Sequence, residues 1–327
     1  MNRKDRAASF VSHLIVGIGL ICALAADTSA QEKFPSRPIE IVTHAGIGGG
    51  TDVTARMVMV QAPATLGTEL VVVNKTGGSG AAALGYVDSR PKDGHTILLL
   101  TQTHLLTLLQ GRGGNVKPED IVGIARATDD PQILMVGRGS PYQTAQEFID
   151  VARKKAMKFG TTQIGSVDHI AVTGFAAKAG LEKPNVVPFR GGGDIVINLV
   201  GGNIDAALVN FAEAEAQIKN GDIRALLTFA AQRIDSLPQT PTATEIGIAA
   251  NYSTVRGFAV LKGTPEDRIK LLEDGLTKAM NGRIFQDYLK SSGQSLTSVL
   301  GREEWQAQLN AFLVTGREAL AALGIAK

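Results

Sequence analysis

Cysteine is almost missing from this chain. Its 327 residues hold one, Cys22. That residue falls in the first thirty, so the remainder has no disulfide framework, no thiolate nucleophile and no cysteine metal site. An excess of charge is missing too: 33 Lys and Arg stand against 31 Asp and Glu, a net +2. Such balance argues against nucleic-acid binding and against a polybasic membrane patch. After the first thirty residues no apolar run is long enough to span a bilayer. There is no short repeat, no low-complexity tract and no Ser- or Pro-rich linker. The histidines His44, His95, His104 and His169 have no metal-ligand spacing. No G-x-S-x-G elbow and no H-E-x-x-H occurs, so no nucleophile–base pair can be argued. No cofactor is expected.

The first thirty residues carry a three-part pattern. Arg3, Lys4 and Arg6 make a basic start, 10–26 is mostly apolar, and Thr28-Ser29-Ala30 supplies small residues before Gln31. This predicts a cleaved secretory signal over 1–30, with cleavage after Ala30. Ser12 and His13 interrupt the apolar run, which falls short of the ~20 residues a membrane span needs. Lipidation at Cys22 is disfavoured by bulky Ile21 before it. The remaining chain, from Gln31, is long enough to bury a large core without disulfides and fits two domains of ordinary size.

Short β-branched runs alternate with helical patterns. Strands are expected near 39–43, 70–74, 96–101, 132–136, 185–189, 204–209, 223–229 and 255–261. Helices are expected near 52–61, 81–89, 144–157, 168–179, 193–200 and 212–220, with Pro63 ending or kinking the first. This alternation predicts an α/β fold with mainly parallel sheets. From Pro265 onward the pattern is helical only, over 266–281, 283–291 and 302–323. Leu309, Phe312, Leu313, Leu320 and Leu323 form one apolar stripe there, expected to pack on a sheet.

Glycine clusters follow several of these strands: 46–50, 77–80 and 191–193. The first, Gly46-Ile47-Gly48-Gly49-Gly50-Thr51-Asp52, reads as strand, glycine loop, helix start. Glycine lets backbone N–H groups approach a ligand, and the free N–H groups of a helix's first turn attract an anion. In an exported chain this suggests a carboxylate-holding site outside the cytoplasm. A fourth loop, 163–169, contains Ser166, Asp168 and His169. Any one such cluster also serves as a plain tight turn. Gly78-Ser79-Gly80-Ala81-Ala82-Ala83 fits the looser dinucleotide pattern G-x-G-x-x-A, a weak signal alone. Arg190 reads either as a counter-charge for a carboxylate or as a solvated surface residue. Asp129-Asp130 reads as a solvated turn before Pro131.

Taken in order, these blocks resemble the extracytoplasmic solute receptors of the tripartite tricarboxylate transporter family, the Bug receptors. The resemblance begins at Phe34-Pro35-Ser36-Arg37-Pro38-Ile39. It continues through Gly48-Gly49-Gly50-Thr51-Asp52 with Ala55-Arg56, Asn74-Lys75-Thr76-Gly77-Gly78-Ser79-Gly80 and Asp93-Gly94-His95-Thr96. His169, Val187-Pro188-Phe189-Arg190-Gly191-Gly192-Gly193, Gly201-Gly202-Asn203-Ile204-Asp205, Gly221-Asp222-Ile223-Arg224-Ala225-Leu226 and Lys262-Gly263-Thr264-Pro265 complete the series. Such a resemblance implies a type II-like, two-lobed periplasmic binding protein fold with the ligand cleft between α/β lobes. Crossing strands near 132–136 and 255–261 would divide it into lobe one, 31–132 with 257–327, and lobe two, 133–256.

The function so implied is a non-enzymatic periplasmic receptor for a small organic carboxylate, mono-, di- or tricarboxylic or aromatic. It would close on its ligand and, as a monomer, deliver it to the membrane subunits of a tripartite tricarboxylate-type transporter. The ligand-binding residues carried over are Ile47, Gly48, Gly49, Gly50, Thr51 and Asp52 in lobe one, then Thr101, Gln102 and Thr103, with Ser166 and Asp168 in lobe two. Arg190 joins them on its own reading. The alternative is a secreted or periplasmic α/β enzyme that holds a phosphate or nucleotide in its glycine loops. Three departures from the family pattern bear on the ligand. His44, Ala45, Gly46 and Ile47 replace prolines and an aromatic, Thr76 replaces a proline, and a hinge-side tryptophan gives way near Val255, beside Arg256. Ala45 would enlarge the pocket, while His44 or Arg256 would add a polar contact.

Overall fold

The computed structural model describes residues 33–325. The expected signal sequence and its cleavage point lie outside them. The chain divides into two compact units, 1–36 and 37–327. The described part of the first, 33–36, contains no helix or strand.

The described residues of the second unit form nine strands and eleven α-helices. In chain order they are β1 (Ile39–Thr43), α1 (Gly50–Met59), α2 (Ala62–Leu66), β2 (Leu70–Asn74), α3 (Ala81–Asp88), β3 (Thr96–Thr101), α4 (Gln102–Leu109) and β4 (Ile121–Gly137). Then come α5 (Ala145–Ala152), β5 (Lys158–Thr161), α6 (Val167–Ala179), β6 (Asn185–Pro188), α7 (Gly192–Val200), β7 (Ala206–Asn210), α8 (Phe211–Lys219) and β8 (Ile223–Thr228). The chain ends through β9 (Ser253–Leu261), α9 (Glu266–Met280), α10 (Arg283–Ser291) and α11 (Arg302–Ala322).

The strands fall into two groups joined by β4. In the first, β1 lies parallel to both β2 and β3, and β3 runs antiparallel to β9. In the second, β5 lies parallel to β6 and β7. The first part of β4, 121–131, pairs with β9, and its end pairs with β7 and β8. Side chains alternate across a strand. Leu134 and Val136 therefore enter one core with Phe148, Phe159 and Phe175, whereas Ile133 and Met135 enter another with Ile195, Leu199 and Val209. Helices α5 and α6 cover the first face, α7 and α8 the other. The strand–helix units around β5, β6 and β7 give the parallel part of the sheet this double cover, while β4 runs antiparallel to β7, β8 and β9, so the sheet is mixed and not mainly parallel as expected.

The C-terminal helices return to the first group. Trp305 is fully buried with Leu309 against Leu98, Leu100 and Ala259, and its indole N–H donates to the Phe258 carbonyl at 3.1 Å. Gly257 makes room for it: a Cβ there would stand 2.5 Å from the Trp305 ring.

Several expectations need revision. The strand placed at 132–136 is the end of a 17-residue strand. Its first part was obscured by Gly123, Asp129, Asp130 and Pro131, and it carries register shifts at Gly123/Ala125 and Arg126/Thr128. Asp130 is no solvated turn residue; it is 3% exposed within β4. Helix α4 was not expected, because it continues from β3 with no loop, started by a Thr101–His104 capping box. Strand β5, four residues long, was also missed. The first helix stops at Met59, and Pro63 lies in the first turn of α2, where its missing N–H costs no bond.

Candidate functional site

A cavity of about 110 Å³ lies where the carboxyl ends of β1, β3, β5, β6 and β7 converge. Ligands of open α/β sheets bind at such a place. Its lining includes His44, Ala45, Gly49, Gly50 and Thr51 on one side and Thr162, Gln163, Asp168, Gly192, Asn210 and Glu213 on the other.

The first side is held by Asp52. Its carboxylate, 1% exposed, accepts from the Gly48 N–H at 2.9 Å, from Asn74 at 2.8 Å and from Arg56 at 2.9 and 3.0 Å. Burial opposes its ionisation, but these hydrogen bonds outweigh that and hold it below the usual carboxylate range. Asp52 therefore shapes the loop from behind and does not line the cavity. Gly48, at φ +81°, takes the left-handed turn that glycine favours. Helix α1 then starts at Gly50, and its first-turn N–H groups have no intrahelical acceptor.

Arg256, on β9, ties both sides together and is 2% exposed. Its Nη1 donates to Asp130 Oδ2 at 2.8 Å, its Nη2 to Asn210 Oδ1 at 3.3 Å and its Nε to Thr51 Oγ1 at 3.4 Å. Gly50 permits this approach, since a Cβ there would stand 2.6 Å from Nη2. Burial opposes the guanidinium's charge, yet Asp130, with Tyr288 and Glu213 adding less, leaves its pKa raised.

The second side is acidic. Asp168, in the first turn of α6, accepts from Gln132 at 2.7 Å and from the N–H and hydroxyl of Thr162. Burial still pushes its carboxyl up. Burial pushes Asp130 up to about 6 against the pull of Arg256. Glu213 is pushed up to about 7, first by burial, with repulsion from Asp168 and Asp130 adding to it. On the opposite wall, burial and the charge of Arg256 push His44 down to about 4. Its ring stands edge-on to His104 at 4.4 Å between centroids. His104 Nδ1 accepts the Thr101 N–H at 3.1 Å, which places its proton on Nε2. Burial, then His44, hold it well below its ordinary value. Both imidazoles are neutral at pH 7.

Of the candidate residues, Gly49, Gly50, Thr51, Thr101, Thr103, Asp168 and Arg190 line this one cavity. Arg190 is exposed, at its edge. Ile47, 84% exposed, and Gly48 lie off the lining, as do Asp52, Gln102 and Ser166. Gln102 spends its amide on β9, bonding Ser253 O and Val255 N at 2.9 Å. Ser166 caps α6 by accepting the His169 N–H at 3.3 Å. Sequence reasoning missed Asn210, Glu213, Thr162 and Gln163. For the first pair a signal existed: Asn210 and Glu213 form a capping box directly after β7. Among the described residues no group of His, Cys, Asp or Glu could hold a metal ion.

Comparison with known proteins agrees with this architecture. The model of the tripartite tricarboxylate transporter family receptor matches residues 54–307. Protein BugT of Bordetella pertussis (strain Tohama I) is 27% identical over 290 residues, covering 85% of this chain and 87% of BugT. A TctC solute binding protein from Polaromonas, solved without ligand, is 30% identical at a TM-score of 0.69, covering 89% of this chain and all of that one. The R. palustris protein Rpa4515, solved with adipate, superimposes at a TM-score of 0.82 over 90% of this chain and 99% of its own. At 22% identity it speaks for the fold alone. That fold is the two-lobed fold of periplasmic binding proteins, and these relatives are substrate-binding receptors, so the enzyme alternative falls away. The chain belongs to the receptors of the tripartite tricarboxylate transporter family.

Proposed function

We propose that this receptor binds a small organic carboxylate between two lobes, 31–132 with 257–327 and 133–256, and closes on it. The observation that carries this reading is the convergence, at one cavity, of the α1 N-terminus and the buried Arg256 with loops from the second strand group. The first-turn N–H groups of α1 and the Thr51 hydroxyl would hold the ligand carboxylate. Residues 47–52, 101–103, Ser166, Asp168 and Arg190 remain the proposed binding set, with Ile47, Gly48, Asp52, Gln102 and Ser166 acting by shaping its loops. A ligand that touches both lobes only in the closed form shifts the population towards that form.

Receptors of this family are periplasmic, and no described helix is long and apolar enough to cross a membrane. Export by cleavage after Ala30 and delivery, as a monomer, to the membrane subunits of a tripartite transporter complete the proposal. A thermal-shift screen of mono-, di- and tricarboxylates beside nucleotides tests it. Stabilisation by carboxylates is expected; stabilisation by nucleotides alone would overturn it.

A further inference from the structure

The two walls of the cavity differ in what they offer. The α1 wall presents donors: the first-turn N–H groups and the Thr51 hydroxyl. The opposite wall presents acceptors. Glu213 reaches over the start of α7, where a Cβ on Gly192 would stand 2.3 Å from its Oε1. The N-terminus of α7, which would otherwise suit a second anion, is therefore already covered by the chain's own carboxylate. Glu213 Oε2 is used by the Asn210 N–H at 3.2 Å. Asp168 lies beside it on the same lining. The buried Gln163 Oε1 has no hydrogen-bond partner among the described residues and also belongs to that wall. Among the described residues, the cations on this lining are two. Arg256 is committed to Asp130, Asn210 and Thr51, and Arg190 stands exposed at the edge.

We infer that the cavity takes a monocarboxylate whose other end carries a cationic donor, an ammonium group, and that Glu213 is the residue that selects for that end. This rests on the carboxylate reading above and names its ligand class. The ligand carboxylate sits at the α1 loop, and its ammonium reaches Glu213 and Gln163. A dicarboxylate would bring its second negative charge against Glu213 and Asp168, at a helix start that is already filled. Burial raises the carboxyls of Glu213 and Asp168, and Arg190, the cation on that wall, stands exposed at the edge.

The test is calorimetric titration of the full mature chain at pH 7.5 with two matched series. Succinate, glutarate and adipate are set against 4-aminobutanoate, 5-aminopentanoate and 6-aminohexanoate. The expected result is that the preferred amino acid binds at least about tenfold more tightly than the diacid of the same carbon number, as befits a sequestered charge pair. Glu213→Gln, which can still accept the Asn210 N–H, should remove that ratio. A diacid that binds as tightly as its amino partner would overturn the inference and leave the carboxylate reading standing. So would a ratio unchanged in Glu213→Gln. Should that variant fail to fold, the wild-type ratio alone decides. No binding in either series would overturn the inference and leave the carboxylate reading to the thermal-shift screen.

Discussion

Replacing Arg256 by Met should expose how the cavity's charges depend on one another. Met keeps much of the side-chain volume but removes the guanidinium that meets Asp130 at 2.8 Å, with both side chains under 5% exposed. Breaking a buried ion pair from one side costs roughly 3–5 kcal/mol, because the remaining charge stays buried without compensation. Asp130 is poorly placed to find another partner, since its Oδ1 has none among the described residues. It has one escape, which is to take up a proton. Burial already pushes it up to about 6 with Arg256 in place, and without that cation it rises further. A carboxyl raised in the folded state contributes stability that is complete below its unfolded pKa and is lost as pH rises through the folded value. The gap between wild type and Arg256→Met should thus be small at pH 5.5 and reach the 3–5 kcal/mol range near pH 8. Urea unfolding at both pH values measures it. Adding Asp130→Asn should recover more than about 1.5 kcal/mol at pH 8, because the stranded charge goes with it. An equal gap at both pH values, or a second loss with Asp130→Asn, would refute the reasoning.

The same geometry yields three smaller predictions. Gly50→Ala places a Cβ 2.6 Å from Arg256 Nη2 and should displace the guanidinium, lowering stability by about 1–3 kcal/mol despite the better helix propensity of Ala; an unchanged or raised urea midpoint would speak against it. Ser166→Ala removes the α6 cap on the His169 N–H and should cost about 1 kcal/mol in the same assay, with no loss showing the cap to be dispensable. Glu213, raised to about 7 mainly by burial, should make the ligand-free protein lose stability between pH 5 and 8 relative to Glu213→Gln. His44, pushed down to about 4, acts in the opposite sense, destabilising as pH falls below 6.5, in both proteins alike. The difference curve therefore cancels His44 and reports Glu213 with its coupling to Asp168 and Asp130, and a flat one would refute the assignment.

The parts of this site that were legible in the sequence are those with local causes. The strand, glycine loop and helix start around Gly48–Thr51 appear in a single stretch, and α9, α10 and α11 declared themselves by periodicity. Thr101 ends β3, and Thr51, Thr103 and Asp168 each lie in the first turn of a helix that follows a strand, which brings all four to the cavity. What was not legible depends on distant partners. Asp130 looked like a surface turn because nothing near it in sequence neutralises it; its partner is 126 residues away. Arg256 was noticed only as a departure from the family pattern, and its role depends on the space that Gly50 leaves. Asp52 was read as a ligand-facing group, but its four hydrogen bonds turn it back into its own loop. Glu213 hid inside a capping box, a local signal that explains the start of α8 and gives no hint of the cavity beyond it.

The central claim, that this cavity holds a carboxylate at the start of α1, is tested most directly by calorimetric titration of wild type and Thr51→Val with the best carboxylate ligand. The variant keeps the shape and removes one hydroxyl, so binding at one site per chain should weaken by roughly 0.5–3 kcal/mol, severalfold to a hundredfold. Equal affinity in the two proteins, with both folded, would contradict the account and leave the glycine loop a turn without a ligand.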